Sequence, residues 1–171
     1  MRPVTHSTQP VAVRLLELGD LEWVLKANNA AVPAVNPHDA SSLRALIDGA
    51  DRCWVAVDGT TPVGLLVTFG PGATYESTNY RWLSERYDRF RYVDRIVVIP
   101  EAKGRGVGRA LYRALEEHVA SIEAERVLCE VNIEPPNPSS IAFHTAMGWS
   151  PISDREISVG KAVRYFEKRV E

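Results

Sequence analysis

The sequence predicts a mixed α/β domain built on one central sheet. Three observations carry this. Apolar runs of strand length, such as residues 53–57 and 92–99, alternate with segments of helical period, such as residues 106–120. Residues 92–131 read strand–helix–strand, which calls for a parallel pair with a right-handed crossover. Turn signals at Asp58-Gly59 and Gly160-Lys161 call for antiparallel hairpins elsewhere.

The elements follow in order. Residues 11–16 alternate loosely and read as a first strand. Gly19-Asp20 then opens a helix, with Asp20 as N-cap and Leu21, Val24 and Leu25 on one face. Residues 28–38 hold two prolines and three asparagines and read as a loop. A second helix runs from Asp39 to Ile47 and stops near Gly49. Residues 53–57 and 63–69 form a hairpin. Residues 70–91 are a long excursion carrying Tyr75, Tyr80, Trp82, Tyr87 and Phe90, and loops of that length are functional or hold structure of their own. After the strand at 92–99 comes a helix with Ala110, Leu111, Ala114, Leu115 and Val119 on one stripe. Residues 127–131 are a strand. Asn137 and Pro138 supply an N-cap and first-turn proline for a helix that ends at Gly148. Residues 156–170 read as two strands.

Length and composition bound the rest. A chain of 171 residues is one domain, expected over 1–171 with a flexible start at 1–10. Such a chain buries roughly 70% of its unfolded surface. The longest unbroken apolar run, residues 53–57, is far short of the ~20 needed to span a membrane, and the polar start is no secretory signal. Neither a membrane nor nucleic acid is expected as partner, the latter because net charge is −2 with a pI near 6.1. Cys53 and Cys129 read as small buried hydrophobes, and a cytoplasmic location is the default. The four histidines show no ligand spacing and no Cys-x-x-C occurs, so no metal is expected. No Gly-x-Ser-x-Gly marks a serine hydrolase.

The strongest chemical signal is Lys103-Gly104-Arg105-Gly106-Val107-Gly108, between a strand and a helix. Glycines there let a ligand approach the backbone, and a helix N-terminus attracts anions. The loop fails the dinucleotide pattern, because Arg109 stands where the last glycine belongs, and it fails the Walker pattern. Arg105, Arg109 and Arg113 recur every fourth residue at the helix start, while Glu116 and Glu117 come later. That order opposes the macrodipole by ~0.3–1 kcal/mol per charge near an end. A polyanionic ligand would compensate; the alternative is a solvated basic face.

These residues resemble the GNAT superfamily of acetyl-coenzyme A-dependent N-acetyltransferases. The match begins at Arg95-Ile-Val-Val-Ile-Pro and runs through KGRGVGRALYRAL, with Lys103 where the family carries Gln or Arg. It continues in CEVN and NPSSIAFHTAMGW. The two blocks cover residues 92–149. The resemblance implies a GNAT-like sheet, mostly antiparallel, with one splayed parallel strand pair and flanking helices. It implies acetyl-coenzyme A as co-substrate. Ile96, Val97 and Val98 would run along the pantetheine arm, Ile96 and Val98 pairing with it through their backbone. Lys103, Gly104, Arg105, Gly106, Val107, Gly108 and Arg109 would bind the cofactor, the N–H groups of Arg105 to Arg109 holding the pyrophosphate. Asn137 and Phe143 would complete the cofactor site, although two extra residues in the run 133–136 lengthen the approach to Asn137. Family habit implies a homodimer as one assembly, on which the sequence is silent.

Acetyl transfer to an amine requires a base. Glu130, in the family's Glu-Val strand position, is the first choice. A glutamate near 4.3 faces an ammonium near 10.4, a gap of about six units, so it needs a raised pKa or a water relay. Its structural alternative is an ion pair with Arg126. Asp94 competes, with the strand parity of Ile96 and Val98; its structural alternative is a salt bridge to Arg91 or Arg95. His144 stands where the family often has a tyrosine acid. The acceptor site is expected from the first helix pair and the long loop, with Asn28, Asn29, Tyr75, Glu76, Tyr80 and Trp82 as contacts. The acceptor would be a primary amine of a small molecule or peptide. The reading from a different class is a non-catalytic acyl-coenzyme A sensor, which would keep the glycine loop without a working base.

Overall fold

The computed structural model describes residues 10–171, so the expected flexible start lies, but for Pro10, outside the described residues. Seven strands form one sheet in the order β1-β2-β3-β4-β5-β7-β6. They are β1 (Ala12–Leu15), β2 (Arg52–Asp58), β3 (Thr61–Phe69), β4 (Phe90–Val98), β5 (Arg126–Glu134), β6 (Ser150–Ser158) and β7 (Lys161–Arg169). Five helices flank them: α1 (Leu21–Ala30), α2 (Ala40–Gly49), α3 (Thr78–Ser84), α4 (Val107–Ala120) and α5 (Pro138–Ala146). All pairs are antiparallel except β4–β5. The expected fold class therefore holds. Among the described residues, no helix is long and apolar enough to cross a membrane.

The two faces carry separate cores. On one, Val107, Leu111, Tyr112, Leu115 and Val119 of α4 pack on Trp54, Leu66, Val93, Val127 and Cys129, and α5 adds Ile141 and Phe143. The α4 backbone lies close to β3, since a Cβ on Gly64 would come within 2.7 Å of Val107 Cγ1. On the other face α1, α2 and α3 cover Leu65, Val67, Phe69, Phe90, Tyr92, Leu128 and Tyr165.

Three local readings change. Asp20 does stand at the N-cap of α1 but makes no cap bond with its side chain. Its carboxylate instead accepts from the Arg14 guanidinium at 2.8 and 2.9 Å and from the Glu17 N–H at 2.8 Å. The long excursion folds into α3, capped by Ser77 Oγ accepting from Tyr80 N–H at 3.2 Å. The last hairpin begins at Ser150, because β6 pairs with β7 along its whole length.

Two irregularities position the site. β4 and β5 pair only from Phe90↔Arg126 to Tyr92↔Leu128, and beyond that the strands part. On its other edge β4 pairs Val67↔Arg95 and then Thr68↔Val93, leaving Asp94 as the extra residue of a β-bulge.

Candidate active site

The opening between β4 and β5 joins the two faces of the sheet. Ile99 N–H donates to Val63 O at 3.1 Å, so by strand alternation Val97 also turns its backbone toward β3. The backbone groups of Ile96 and Val98 face the opening instead. Their side chains pack on the α4 core, whereas Val97 is buried in the opposite core. Val97 therefore turns both its backbone and its side chain away from the expected pantetheine path, which Ile96 and Val98 line.

At the end of β4 the chain enters the glycine loop. Gly104 and Gly106 have φ of 76° and 79°, the left-handed region that favours glycine, and Gly106 is the N-cap of α4. The first-turn amides of α4, Val107 to Arg109, have no intrahelical acceptor. Gly108 is required for a different reason: a Cβ there would meet Phe143 Cζ at 2.8 Å. Phe143 thus sits against the helix start and stacks on Tyr112, with ring centroids 5.8 Å apart. Of the arginine stripe, Arg105 pairs with Asp58 at the β2–β3 hairpin end at 2.7 Å. Arg109, Arg113 and Lys103 are exposed and make no ion pair among the described residues. This cradle suits a polyanion with an extended arm.

Asn137 caps α5, its Oδ1 accepting from Ser140 N–H at 3.4 Å, and its own N–H donates to Asn132 O at 3.1 Å. It still lines the narrow cavity of about 100 Å³ at the opening, with Ile96, Tyr112, Cys129, Glu130 and His144.

Glu130 reaches the α1–α3 side. Its Oε1 accepts from Tyr92 O–H at 2.9 Å and from Asn79 Nδ2–H at 3.1 Å. Its Oε2 is shielded from solvent without a partner among the described residues, although the residue as a whole keeps some exposure. Burial, and then the negative charge of Asp94, push its pKa up to about 8 against those two hydrogen bonds. The alternative of a pair with Arg126 is not realised. That guanidinium bonds Glu167 at 2.8 Å and lies over the Tyr87 ring.

Asp94 does not share the face of Ile96 and Val98. The bulge breaks the alternation, so Asp94 and Arg95 both turn to the α1–α3 side. There Asp94 accepts from Tyr75 O–H and is paired with Arg95 Nε at 2.7 Å, both side chains 5% exposed. Its oxygens are held structurally.

His144 is buried with both nitrogens engaged. Nδ1 lies 2.8 Å from Ser140 O, which can only accept, so the ring proton is there. Nε2 then accepts from Tyr112 O–H at 2.7 Å. Burial lowers its pKa, so the ring is neutral at pH 7 and offers no proton to a leaving group.

A cleft of about 570 Å³ opens on the α1–α3 side, lined by Val35, His38, Tyr75, Asn79, Glu130 and Lys161 among others. It meets the narrow cavity at Asp94, Arg95, Glu130 and Asn132, which line both. Of the expected acceptor contacts, Tyr75 and Glu76 line this cleft. Asn28 and Asn29 do not. Asn28 is fully buried, donates to Asn36 O at 3.0 Å and accepts from Arg95 Nη1 at 2.7 Å. Asn29 clasps both backbone groups of His38. Together they brace the loop between α1 and α2. Tyr80 is buried too, donating to Gly70 O at 2.6 Å and accepting from Ala73 N–H at 3.0 Å. Trp82 stacks on Tyr165, with centroids 4.3 Å apart.

Sequence reasoning missed Tyr92, Asn79, Tyr165 and Tyr112, whereas the Asp94–Arg95 pair is the structural alternative expected for Asp94. The aromatic-rich excursion was a signal for Asn79, but nothing local pairs it with Glu130.

The chain belongs to the acetyltransferase (GNAT) family, whose model matches residues 16–149. It is accordingly an acetyltransferase. Among curated proteins, none matches it in sequence. Solved structures share the fold at low identity. Ard1 from Thermoplasma volcanium has a TM-score of 0.77 at 15% identity, covering 95% of this chain and 99% of that one. The ribosomal-protein-alanine N-acetyltransferase from Brucella melitensis has a TM-score of 0.69 at 21% identity, covering 92% and 99%. Arabidopsis thaliana NAA60, solved in complex with acetyl-CoA, has a TM-score of 0.73 at 17% identity, covering 94% and 98%.

Proposed function

We propose that this protein moves the acetyl group of acetyl-coenzyme A to a primary amine of a small molecule or peptide, by direct attack in a ternary complex. The observation that carries the reading is Glu130. Glu130 lines both the acceptor cleft and the narrow cavity at the opening between β4 and β5, and its shielded Oε2 has no hydrogen-bond partner among the described residues.

The residues suit coenzyme A. The left-handed glycines, the close approach at Gly108 and the unpaired cations Arg109 and Lys103 form the phosphate cradle, and the unpaired backbone of Ile96 and Val98 accepts an extended amide chain. When bound, acetyl-coenzyme A supplies the thioester carbonyl. Glu130 takes the proton of the incoming ammonium. With its pKa near 8, transfer from an amine near 10.4 is uphill by about two units, in place of about six for an ordinary glutamate. Backbone N–H groups of β4 facing the opening supply donors for developing negative charge. The neutral His144 holds Tyr112 and donates no proton. A thiol of pKa near 8.5 leaves without an acid.

The test is calorimetric titration with acetyl-coenzyme A beside ATP and NAD, followed by an amine-library screen for thiol release. Selective binding and an amine-dependent release support the reading. Absence of binding to folded protein overturns it.

A further inference from the structure

Helix α3 grips β7 directly beside the proposed base. Asn79 and Trp82, three apart and so on one face of α3, both take hold of Tyr165. Trp82 stacks on its ring at an interplanar angle of 6°, and Asn79 Oδ1 accepts its O–H at 2.7 Å. Tyr165 is in turn the cross-strand partner of Glu130 in the β5–β7 ladder. The acceptor role of Asn79 Oδ1 fixes which way its amide points. Its Nδ2 then donates to Glu130 Oε1.

We infer that Asn79, oriented by Tyr165, is a positioning residue that holds the Glu130 carboxylate by Oε1 at the edge of the acceptor cleft and leaves Oε2 without a partner among the described residues. The inference rests on Glu130 being the base. A donor on Oε1 favours the ionised carboxylate and so opposes the effect of burial. Tyr92 supplies the only other bond to that oxygen among the described residues. The other titratable groups lining the two cavities that Glu130 borders are Asp94 and Arg95 on β4, Tyr75 and Glu76 before α3, Cys129 on β5, Lys161 on β7, Tyr112 on α4, His144 on α5 and His38 before α2, with Tyr165 as its cross-strand partner. Of these, Asp94 is already paired with Arg95, and His38 and Tyr75 are neutral near pH 7. Asn79 is therefore the adjustable contact.

The test uses the full-length protein with carbon-13 label in its glutamate carboxyls, the Glu130 signal being assigned by its loss in Glu130→Gln. Titrations of wild type, Asn79→Leu, Asn79→Asp and Tyr165→Phe are read beside the pH profile of kcat/KM. Asn79→Leu removes the donor, and the Glu130 titration moves up by about one to two units. Asn79→Asp keeps the shape and the acceptor for Tyr165 but sets a carboxylate against Glu130, moving it further. Tyr165→Phe frees the amide to turn and gives a smaller shift of the same sign. The acid limb of the rate profile follows each shift, so turnover at pH 7 falls roughly tenfold per unit. If the carboxyl titration moves and the rate profile does not, Asn79 positions Glu130 and the base assignment fails. If the carboxyl titration stays put in Asn79→Leu and Asn79→Asp, the inference is overturned.

Discussion

Tyr92 O–H donates to Glu130 Oε1 at 2.9 Å across the very place where β4 and β5 separate, Tyr92↔Leu128 being their last paired residues. The contact ties the proposed base to the strand proposed to border the cofactor arm. It also holds the carboxyl in a buried position, which is the main cause of its raised pKa.

Removing that carboxylate removes the base and leaves the cradle alone. Glu130→Gln is expected to lower kcat by about a hundredfold or more. Affinity for acetyl-coenzyme A by calorimetry should stay nearly intact. Unchanged turnover would pass the role to water.

The same carboxyl makes stability depend on pH. Its pKa rises from 4.5 to about 8 on folding, so the folded state holds the proton more tightly. Its contribution is fully present below the unfolded value and is lost as pH rises through about 8. The difference in Tm between wild type and Glu130→Gln should therefore shift against wild type from pH 5 to pH 9. A constant difference would refute the raised pKa.

Gly106 and Gly108 answer to different physics. A Cβ on Gly106 meets nothing within 4 Å, so Gly106→Trp costs only about 1–2 kcal/mol of left-handed strain and should abolish cofactor binding by filling the loop. Gly108→Ala collides with Phe143 and should cost about 1–3 kcal/mol. Phe143→Ala should relieve that clash, giving a clear coupling energy in a double-mutant cycle by urea denaturation.

Arg95 is 7% exposed and joins Asp94 to Asn28. Arg95→Met leaves Asp94 buried without its cation and should cost about 3–5 kcal/mol by chemical denaturation. It should also speed proteolytic cutting in residues 31–38, whose Asn36 carbonyl it helps to hold.

His144→Phe should leave the pH–rate profile unchanged, because the ring donates only to Ser140 O. It orphans the buried Tyr112 hydroxyl and should cost about 1–3 kcal/mol. A lost limb in the profile would restore His144 as an acid.

Much of the fold was legible because it is local. Apolar runs of strand length marked β2 to β5, helical period marked α4, and Asn137-Pro138 with Gly148 bracketed α5. The sequence of residues 70–91 does not announce α3, because seven helical residues are too few for periodicity to show, and Tyr80 and Leu83 in the core hold it there. Asn28 and Asn29 read as acceptor contacts from their position. Burial against Arg95 and His38 made them braces instead.

The amino-acid order alone determined the glycine loop, the basic helix start and the strand carrying Glu130, since each depends on neighbours within a few residues. Tertiary structure alone decided which way the side chains of β4 face, because one bulged residue at Asp94 reverses the alternation that parity assumes. It also decided what holds Glu130. Asn79 and Tyr165 lie 86 residues apart in the chain, and only the packing of α3 across β7 brings them to one carboxylate.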